Sequence, residues 1–458
     1  MERRHIQHLY WRAGFGLRPE ELNRLSGLSR DQIVGDLFES SRSVYPLRID
    51  LSEFNGFRAD MAMTNKKELR EFIERSRVRI KDFNYAWVNR MVNPKAALRE
   101  RMTLFWANHF VCRDSHIGFV QQYNNTLRKH ALGHFGDFVK AISKQPAMLK
   151  YLNNKHNIKK SPNENFAREL MELFTLGPGH YTERDIKESA RALTGYFHDF
   201  KGRFVFRYRQ HDMGVKRFLG YRGRFTGDDV VNIILAKRQC ARFICEKIYA
   251  YFVNETLVQD HIDQMVEVFY RNYKIDKLMR FVFQSDWFYD EKNIGSKIKS
   301  PVELIVGIRR TVPIEFRKIN ESVVIQRYMG QPLLYPPNVA GWKGGRNWIN
   351  TNTLLLRLKT PSILLSNGII SIKEQGQFFD PMFDRFRPDL GGKKIFDVVP
   401  DWDSFESEFK GIDIEEMTTY MLQTSLSEET SNMLNDLSKL NKKTFCVQLM
   451  SLPEYQMC

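Results

Sequence analysis

Two carboxylates, an amide and a guanidinium stand at helical spacing in the stretch Asn163-Glu164-Asn165-Phe166-Ala167-Arg168-Glu169-Leu170-Met171-Glu172-Leu173-Phe174-Thr175-Leu176-Gly177. Successive helical residues rotate by ~100°, so Asn165, Arg168, Glu169 and Glu172 share one polar arc, while Phe166, Leu170, Leu173 and Phe174 take the opposite side. On such an arc Glu169 or Glu172 can serve as a general base or metal ligand. Arg168 can then hold an anionic group in its planar fork. The same residues also suit an ion-pair network, with Arg168 and Glu172 paired at i, i+4 and Glu169 bound to a neighbouring helix.

The remaining polar candidates are scattered. Arg191, Thr194 and Tyr196 follow at the far end of a helix that Thr182 caps, with Asp185 at its third position, and they can face the Glu169/Glu172 arc. His211-Asp212 ends a strand, either as part of a ligand site or as a turn in which Asp212 orients His211. His109 lies on an apolar helical stripe, where a satisfied core histidine competes with a ligand contact. His130 and His134 have the spacing of a helical zinc pair, with Gly133 weakening the helix between them. Glu169-x-x-Glu172 lacks the histidine of a carboxylate-bridged two-metal motif. No phosphate-binding loop, Gly-x-Ser-x-Gly elbow or four-ligand Cys/His pattern occurs, so no metal or cofactor is assigned.

A second aromatic and polar group lies between Gln331 and Asn350. Pro336-Pro337, Gly341-Trp342 and Gly344-Gly345 exclude regular helix there, leaving an ordered loop with Asn338, Trp342, Lys343, Arg346, Trp348 and Asn350. Its composition suits stacking on a sugar or gripping a peptide, and equally a plug whose tryptophans cover a helix bundle.

Helices must position these groups. Asn93-Pro94, Ser161-Pro162-Asn163-Glu164 and Ser300-Pro301-Val302-Glu303 read as helix starts, the latter two as capping boxes. Leu98, Met102, Phe105 and His109 form a core-facing stripe after the first. Further helices are expected over 31–40, 66–79, 83–91, 229–237, 241–253, 258–270, 301–312, 414–422 and 427–440. A β-hairpin is expected from Phe197–Phe200 and Arg203–Gln210 across Lys201-Gly202, with one aromatic and one basic face. The fold class is therefore mainly α: a multi-helix globular bundle with a small antiparallel hairpin insertion at about 197–210 and the Trp/Gly/Pro-rich loop at about 331–350. Residues 1–374 are read as the main domain, 375–401 as a loop region and 402–458 as a C-terminal helical segment packing on it.

The chain has 458 residues with 42% hydrophobic and 13% aromatic content, enough for one large core or two medium ones. A net charge of +16 favours polyanions, acidic glycans, anionic surfaces or an acidic partner. Eight basic residues against one acid, Asp212, lie between Lys201 and Arg224, as a binding face or a solvated one. Five cysteines without a Cys-x-x-Cys pair indicate a reduced compartment. No signal peptide and no run of ~20 apolar residues is seen, so a soluble, cytoplasmic protein with no membrane span is expected, unless a partner exports it.

Several strings match one family in order and spacing. His8-Leu9-Tyr10-Trp11-Arg12-Ala13-Gly14-Phe15-Gly16 is similar to its opening motif and Phe105-Trp106-Ala107-Asn108-His109-Phe110 to its second. The central Glu/Arg string, His211-Asp212, Pro336–Gly345 with Trp348-Ile349-Asn350, and Ser451–Tyr455 continue the match. The chain resembles the bacterial domain of unknown function 1800 family over nearly its full length. Many relatives carry histidine where this chain has Ala107 and Phe174, so chemistry by those histidines is not expected here. The resemblance implies no reaction. It does imply a partner, because genes of the family often neighbour those of proteins resembling sulfatases and phosphatases. The expected function is an enzyme or accessory factor acting on an anionic or carbohydrate ligand through a Glu/Arg-lined pocket with that partner. A non-catalytic escort of the partner is the alternative, and nucleic-acid binding through the basic hairpin ranks last because no recognisable motif supports it.

Overall fold

Apolar residues at helical spacing account for most of the architecture in a computed structural model of the chain, which describes residues 1–54, 66–366, 396–424, 426–437 and 441–458. The protein is mainly helical, with three two-stranded antiparallel sheets among the described residues. The expected helices 66–79 and 83–91 are one helix, Lys66–Val92. Its apolar rhythm runs unbroken through the junction, burying Phe72, Ile80, Phe83, Trp87 and Met91 on one face.

Helix Ala97–His109 is buried almost all round. Leu98, Met102, Phe105 and His109 face inward as expected, and the polar side is covered too because its charges are paired inside. Arg128 grips Glu100 through two hydrogen bonds of 2.6 and 3.1 Å. The helix does not start at Asn93-Pro94. It begins at Ala97, and Asn93 instead accepts a hydrogen bond from Arg18 at 2.7 Å.

Two expected capping boxes form, Thr182 with Asp185 and Ser300 with Glu303. The one expected at Ser161-Pro162-Asn163-Glu164 does not. Ser161 closes a tight turn with Ile158, and the helix Asn165–Glu172 starts later. Asn163 organises that start, accepting the Asn165 N–H at 3.1 Å while its own N–H goes to Asn157 at 2.9 Å. A side chain bonding the backbone in a turn has outcompeted the helix cap.

The hairpin is shorter than expected: Tyr196–His198 pairs with Phe204–Phe206, and Tyr208–Gln210 is a 3-10 turn rather than strand. The ladder ends where the Arg207 N–H reaches the Gly195 carbonyl at 2.7 Å. Gly195 has φ +82°, and a Cβ there would lie 2.7 Å from the Arg207 oxygen, so glycine is required. A second hairpin, Lys216–Phe218 with Tyr221–Gly223, was not expected and turns on Leu219 and Gly220, both at positive φ.

Three apolar clusters hold the elements together. One runs from Ile6 to Tyr289, a second from Leu304 to Tyr455, and a third joins Lys66–Val92 to Pro301–Thr311 through Phe83, Trp87, Val302 and Val306. The C-terminal helices contribute Phe405, Phe409, Met417 and Phe445 to the second cluster, beside Leu304, Ile308 and Leu364. Val398–Pro400 pairs with Ile314–Phe316. Residues 375–395 of the expected loop region lie outside the described residues. No described helix is long and apolar enough to cross a membrane.

Candidate functional site

Helix Asn165–Glu172 buries Phe166, Ala167, Leu170 and Met171 and turns Arg168, Glu169 and Glu172 outward, with Asn165 exposed at its start. Arg168 does not pair with Glu172 as the i, i+4 spacing suggests. Its fork holds Glu183, at the start of the next helix, through bonds of 2.9 and 3.1 Å, and reaches Glu164 at 3.4 Å. Glu172 accepts the Tyr181 hydroxyl at 2.8 Å. The Glu169 carboxyl has no hydrogen-bond or ion-pair partner among the described residues. Burial raises its carboxyl above the ordinary range, the neighbouring Glu172 adds to this, and Arg168 opposes it. The arc thus holds one fixed carboxylate beside one unpaired, partly desolvated carboxyl.

The other expected site residues are spread over the fold. His109 is buried, with Nε2 3.0 Å from the Phe174 carbonyl, linking its helix to the end of the Glu/Arg helix. Burial and then Lys247 lower its pKa to about 3, so the ring is neutral and Nε2 donates. Phe174 itself is core. Arg191 binds Asp212 at 2.7 and 3.3 Å and Glu188 at 3.0 Å, so its partners lie on the hairpin side and not on Glu169 or Glu172. His211 is buried with Nδ1 2.9 Å from the Thr194 carbonyl. Asn338 folds its own loop, accepting the Ala340 N–H, and Asn350 caps helix Thr351–Leu365. His130 and His134 are on different elements: His130 ends helix Ile117–His130 and His134 caps Phe135–Ser143. Among the described residues no group of three or more His, Cys, Asp or Glu side chains could hold a metal ion.

Trp342 and Trp348 are only 6% and 7% exposed, so the loop presents no open stacking platform. Asn108 pins it, donating to the Trp342 carbonyl at 3.0 Å and accepting the Trp342 N–H at 2.7 Å. Gly341, at φ +78°, is required because a Cβ would collide with Asn108 Oδ1. The loop therefore frames a pocket not with helix Asn165–Glu172 but with Lys66–Val92, Ala97–His109 and Ile117–His130. Trp87, Ala107, Asn124 and Trp342 line a cavity there of about 30 Å³, with Cys112 and Asp114 from the loop following His109.

Asp114 and Asn124 were missed in the sequence. Asn124 shares a helical stripe with Val120, Tyr123 and Leu127, and a polar side chain in a core position is the signal that would have found it. Asp114 is buried, with Oδ1 bound to Lys150 at 2.7 Å and to the His116 N–H at 2.8 Å. Tyr151, whose hydroxyl is raised by burial, then by Cys112, and also by Glu169, connects this region electrostatically to the Glu169 arc.

The chain matches the family model described as Protein of unknown function (DUF1800) over residues 8–457. The chain belongs to this family. No curated protein and no solved structure matches it. Within the matched span, Asn108 and Trp342 pin a loop, His109 and Arg191 hold helices to their neighbours, and the Glu169 carboxyl has no partner among the described residues.

Proposed function

We propose that the Glu169/Glu172 arc is an acid–base site acting on a hydroxyl-rich, carbohydrate-type ligand. The observation that carries this reading is the contrast between the two carboxyls. Glu172 is held by the Tyr181 hydroxyl, while the Glu169 carboxyl is unpaired among the described residues and raised by burial, and a raised carboxyl beside a second one suits a proton-donor role. Because Arg168 is occupied by Glu183, a neutral or weakly anionic ligand is favoured over a strongly anionic one. Glu169 acts as the proton donor, its neutral form favoured first by burial and then by the neighbouring Glu172.

A panel of nitrophenyl glycosides tests this with wild type, Glu169→Gln and Glu172→Gln. Turnover should fall by roughly 10²–10⁴-fold in the Glu169 variant. It should also decline in wild type as pH rises through the raised Glu169 pKa. Folded Gln variants with full turnover would remove the reading.

A second reading has its own observation. Phe200, Val205, Phe206, Tyr208 and Tyr221 are exposed beside Arg203 and Arg209, an amphipathic surface suited to an acidic protein such as the sulfatase/phosphatase-like partner. Under it the protein is a cytoplasmic escort. Co-purification that survives Glu169→Gln and is lost on charge reversal at Arg203, Arg207 and Arg209 supports it. Salt-sensitive binding to an oligonucleotide would instead assign that surface to nucleic acid.

A further inference from the structure

The second hairpin sets like charges against each other. Lys216–Phe218 pairs with Tyr221–Gly223 so that Arg217 stands directly opposite Arg222. Side chains on such a ribbon point alternately to its two faces. Lys216 and Phe218 are buried and mark the inner face, so Val215, Arg217, Arg222 and Arg224 share the outer one, where all four are exposed. Helix Glu183–Ala192 fixes the ribbon in place. The Arg217 N–H donates to Glu188 at 2.6 Å, and the Leu219 N–H to Asp185 at 2.8 Å.

Those bonds occupy the acids that touch the hairpin. Glu188 is shared between the Arg217 backbone and Arg191, and Asp185 between the Leu219 backbone and the Thr182 hydroxyl. The guanidinium groups of Arg217, Arg222 and Arg224 have no hydrogen-bond or ion-pair partner among the described residues. Because the Arg217 N–H turns to the helix, Arg217 and Arg222 form a non-hydrogen-bonded pair, whose Cα atoms stand closest, about 4.5 Å apart. Like charges placed so destabilise a ribbon until something neutralises them. An anion from outside supplies that partner, and the planar fork of arginine suits phosphoryl oxygens. The face also carries hydrocarbon. Val215, 47% exposed, lies across from Arg224 one step beyond the ladder, with Met213, 46% exposed, just before it in the chain. Free phosphate or a nucleic-acid backbone would engage the arginines and leave these aliphatic side chains in water. A stable protein partner engages about 20–30 residues on each side, whereas this ribbon has strands of three residues. A bilayer needs no matching shape, and it takes cations at its headgroups and apolar side chains at the acyl boundary.

We infer that the outer face of this hairpin docks on an anionic phospholipid surface, with Arg217, Arg222 and Arg224 at the phosphoryl groups and Val215, with Met213 beside it, at the edge of the apolar layer. The inference goes beyond both readings of function, since it uses neither the Glu169 arc nor Arg203, Arg207 and Arg209.

Flotation of the full chain with phospholipid vesicles tests this. Wild type should bind vesicles of equimolar phosphatidylcholine and phosphatidylglycerol, less tightly as salt rises, and should leave pure phosphatidylcholine vesicles unbound. Each arginine near such a surface contributes about fivefold, so Arg217→Gln, Arg222→Gln and Arg224→Gln combined should weaken binding on the order of a hundredfold. Lysine at the same three positions should keep most of the binding, which separates loss of charge from loss of the hairpin. Val215→Ser, which leaves the charge alone, should weaken binding about threefold or more. Three results would overturn the inference. One is wild type that ignores the mixed vesicles. Another is a loss per arginine from Arg203→Gln with Arg209→Gln as large as from the hairpin three, which would trace binding to overall charge. The last is binding of polyphosphate or an oligonucleotide through the hairpin arginines that Val215→Ser leaves unchanged, with vesicle binding equally indifferent to Val215, which would give the face to soluble polyanions.

Discussion

Replacing Glu303 by Gln should destabilise the protein by about 3–5 kcal/mol, because the carboxylate it removes is the buried counter-charge of a cationic cluster. Glu303 is 2% exposed and pairs with Arg101 and with Lys297, the latter at 2.8 Å, while accepting the Ser300 N–H that starts its own helix. Arg12, Lys299 and Arg357 are also buried and fall within its electrostatic reach. Burial alone would raise its carboxyl, yet Arg101 and Lys297 outweigh that and hold it well below the ordinary range. A group with a depressed folded pKa gives stability that is present above its unfolded value of ~4.3 and is lost as pH falls toward the folded one. The wild type should therefore weaken below pH ~4 while Glu303→Gln shows a smaller change there. Unfolding entropy near 2.1 cal/mol/K per residue gives about 1 kcal/mol per kelvin for a chain of this length, so the neutral-pH loss is about 3–5 °C in Tm. Scanning calorimetry reads it, with Glu416→Gln, from an exposed pair with Arg3, as a control expected to move Tm by about 1 °C or less. A Glu303→Gln Tm within 1 °C of wild type would refute the idea that this carboxylate balances the cluster.

Burial lowers Lys299 to about 7 and Lys297 to about 8. Between pH 7 and 9 the unfolded chain keeps protons that the native lysines have shed, so stability should rise with pH, by about 1.4 kcal/mol per unit for each lysine once above its folded pKa. Lys299→Met should flatten that slope in urea titrations, and an unchanged slope would show that Lys299 is charged throughout. Gly341→Ala should cost roughly 2–4 kcal/mol from its positive φ and the collision with Asn108. Proteolysis should then cut the 331–350 loop faster, and equal cutting rates would mean the loop is held by something other than the Asn108 clasp.

The helices were legible wherever one periodic face meets one core. Leu98, Met102, Phe105 and His109 are buried as their spacing requires, and Ser300/Glu303 caps as written. What the sequence concealed was competition between local signals. Asn157 and Asn163 capture the backbone ahead of Ser161, and Gly195 ends the hairpin ladder that alternation alone would extend. The Glu/Arg arc was legible as a set of residues but not as a set of pairings. Arg168 chose Glu183, fifteen positions on, over Glu172 at the favoured helical spacing, because the Thr182 capping turn delivers Glu183 to it. Asn124 was legible as a polar residue on a core stripe and was passed over, whereas Asp114 was hidden because no spacing rule announces its pairing with Lys150, thirty-six positions on.

Among the polar residues named above, unmet bonding capacity is what separates architecture from candidate function. His109, Arg191, Asp212, Asn338 and Asn350 all have protein partners: the first three tie one element to another, Asn338 folds its own loop and Asn350 caps the helix that follows it. Among the described residues the Glu169 carboxyl has none, and neither do the indole N–H groups of Trp87 and Trp342 or the side-chain amide of Asn124. Leaving such groups unpaired costs about 1–3 kcal/mol each when they are buried, a cost that packing alone would remove by an apolar substitution of similar shape. Two places therefore concentrate unspent polar capacity, the Glu169 arc and the surroundings of the cavity lined by Ala147, and the short helix Pro146–Tyr151 carries both Ala147 and Tyr151, whose hydroxyl is raised in part by Glu169. If that helix couples the two places, a substitution on it should alter packing at the cavity and turnover at Glu169 together, whereas independent places would respond one at a time. Tyr151→Phe is the discriminating variant, since it keeps the ring while removing the hydroxyl that feels both Cys112 and Glu169.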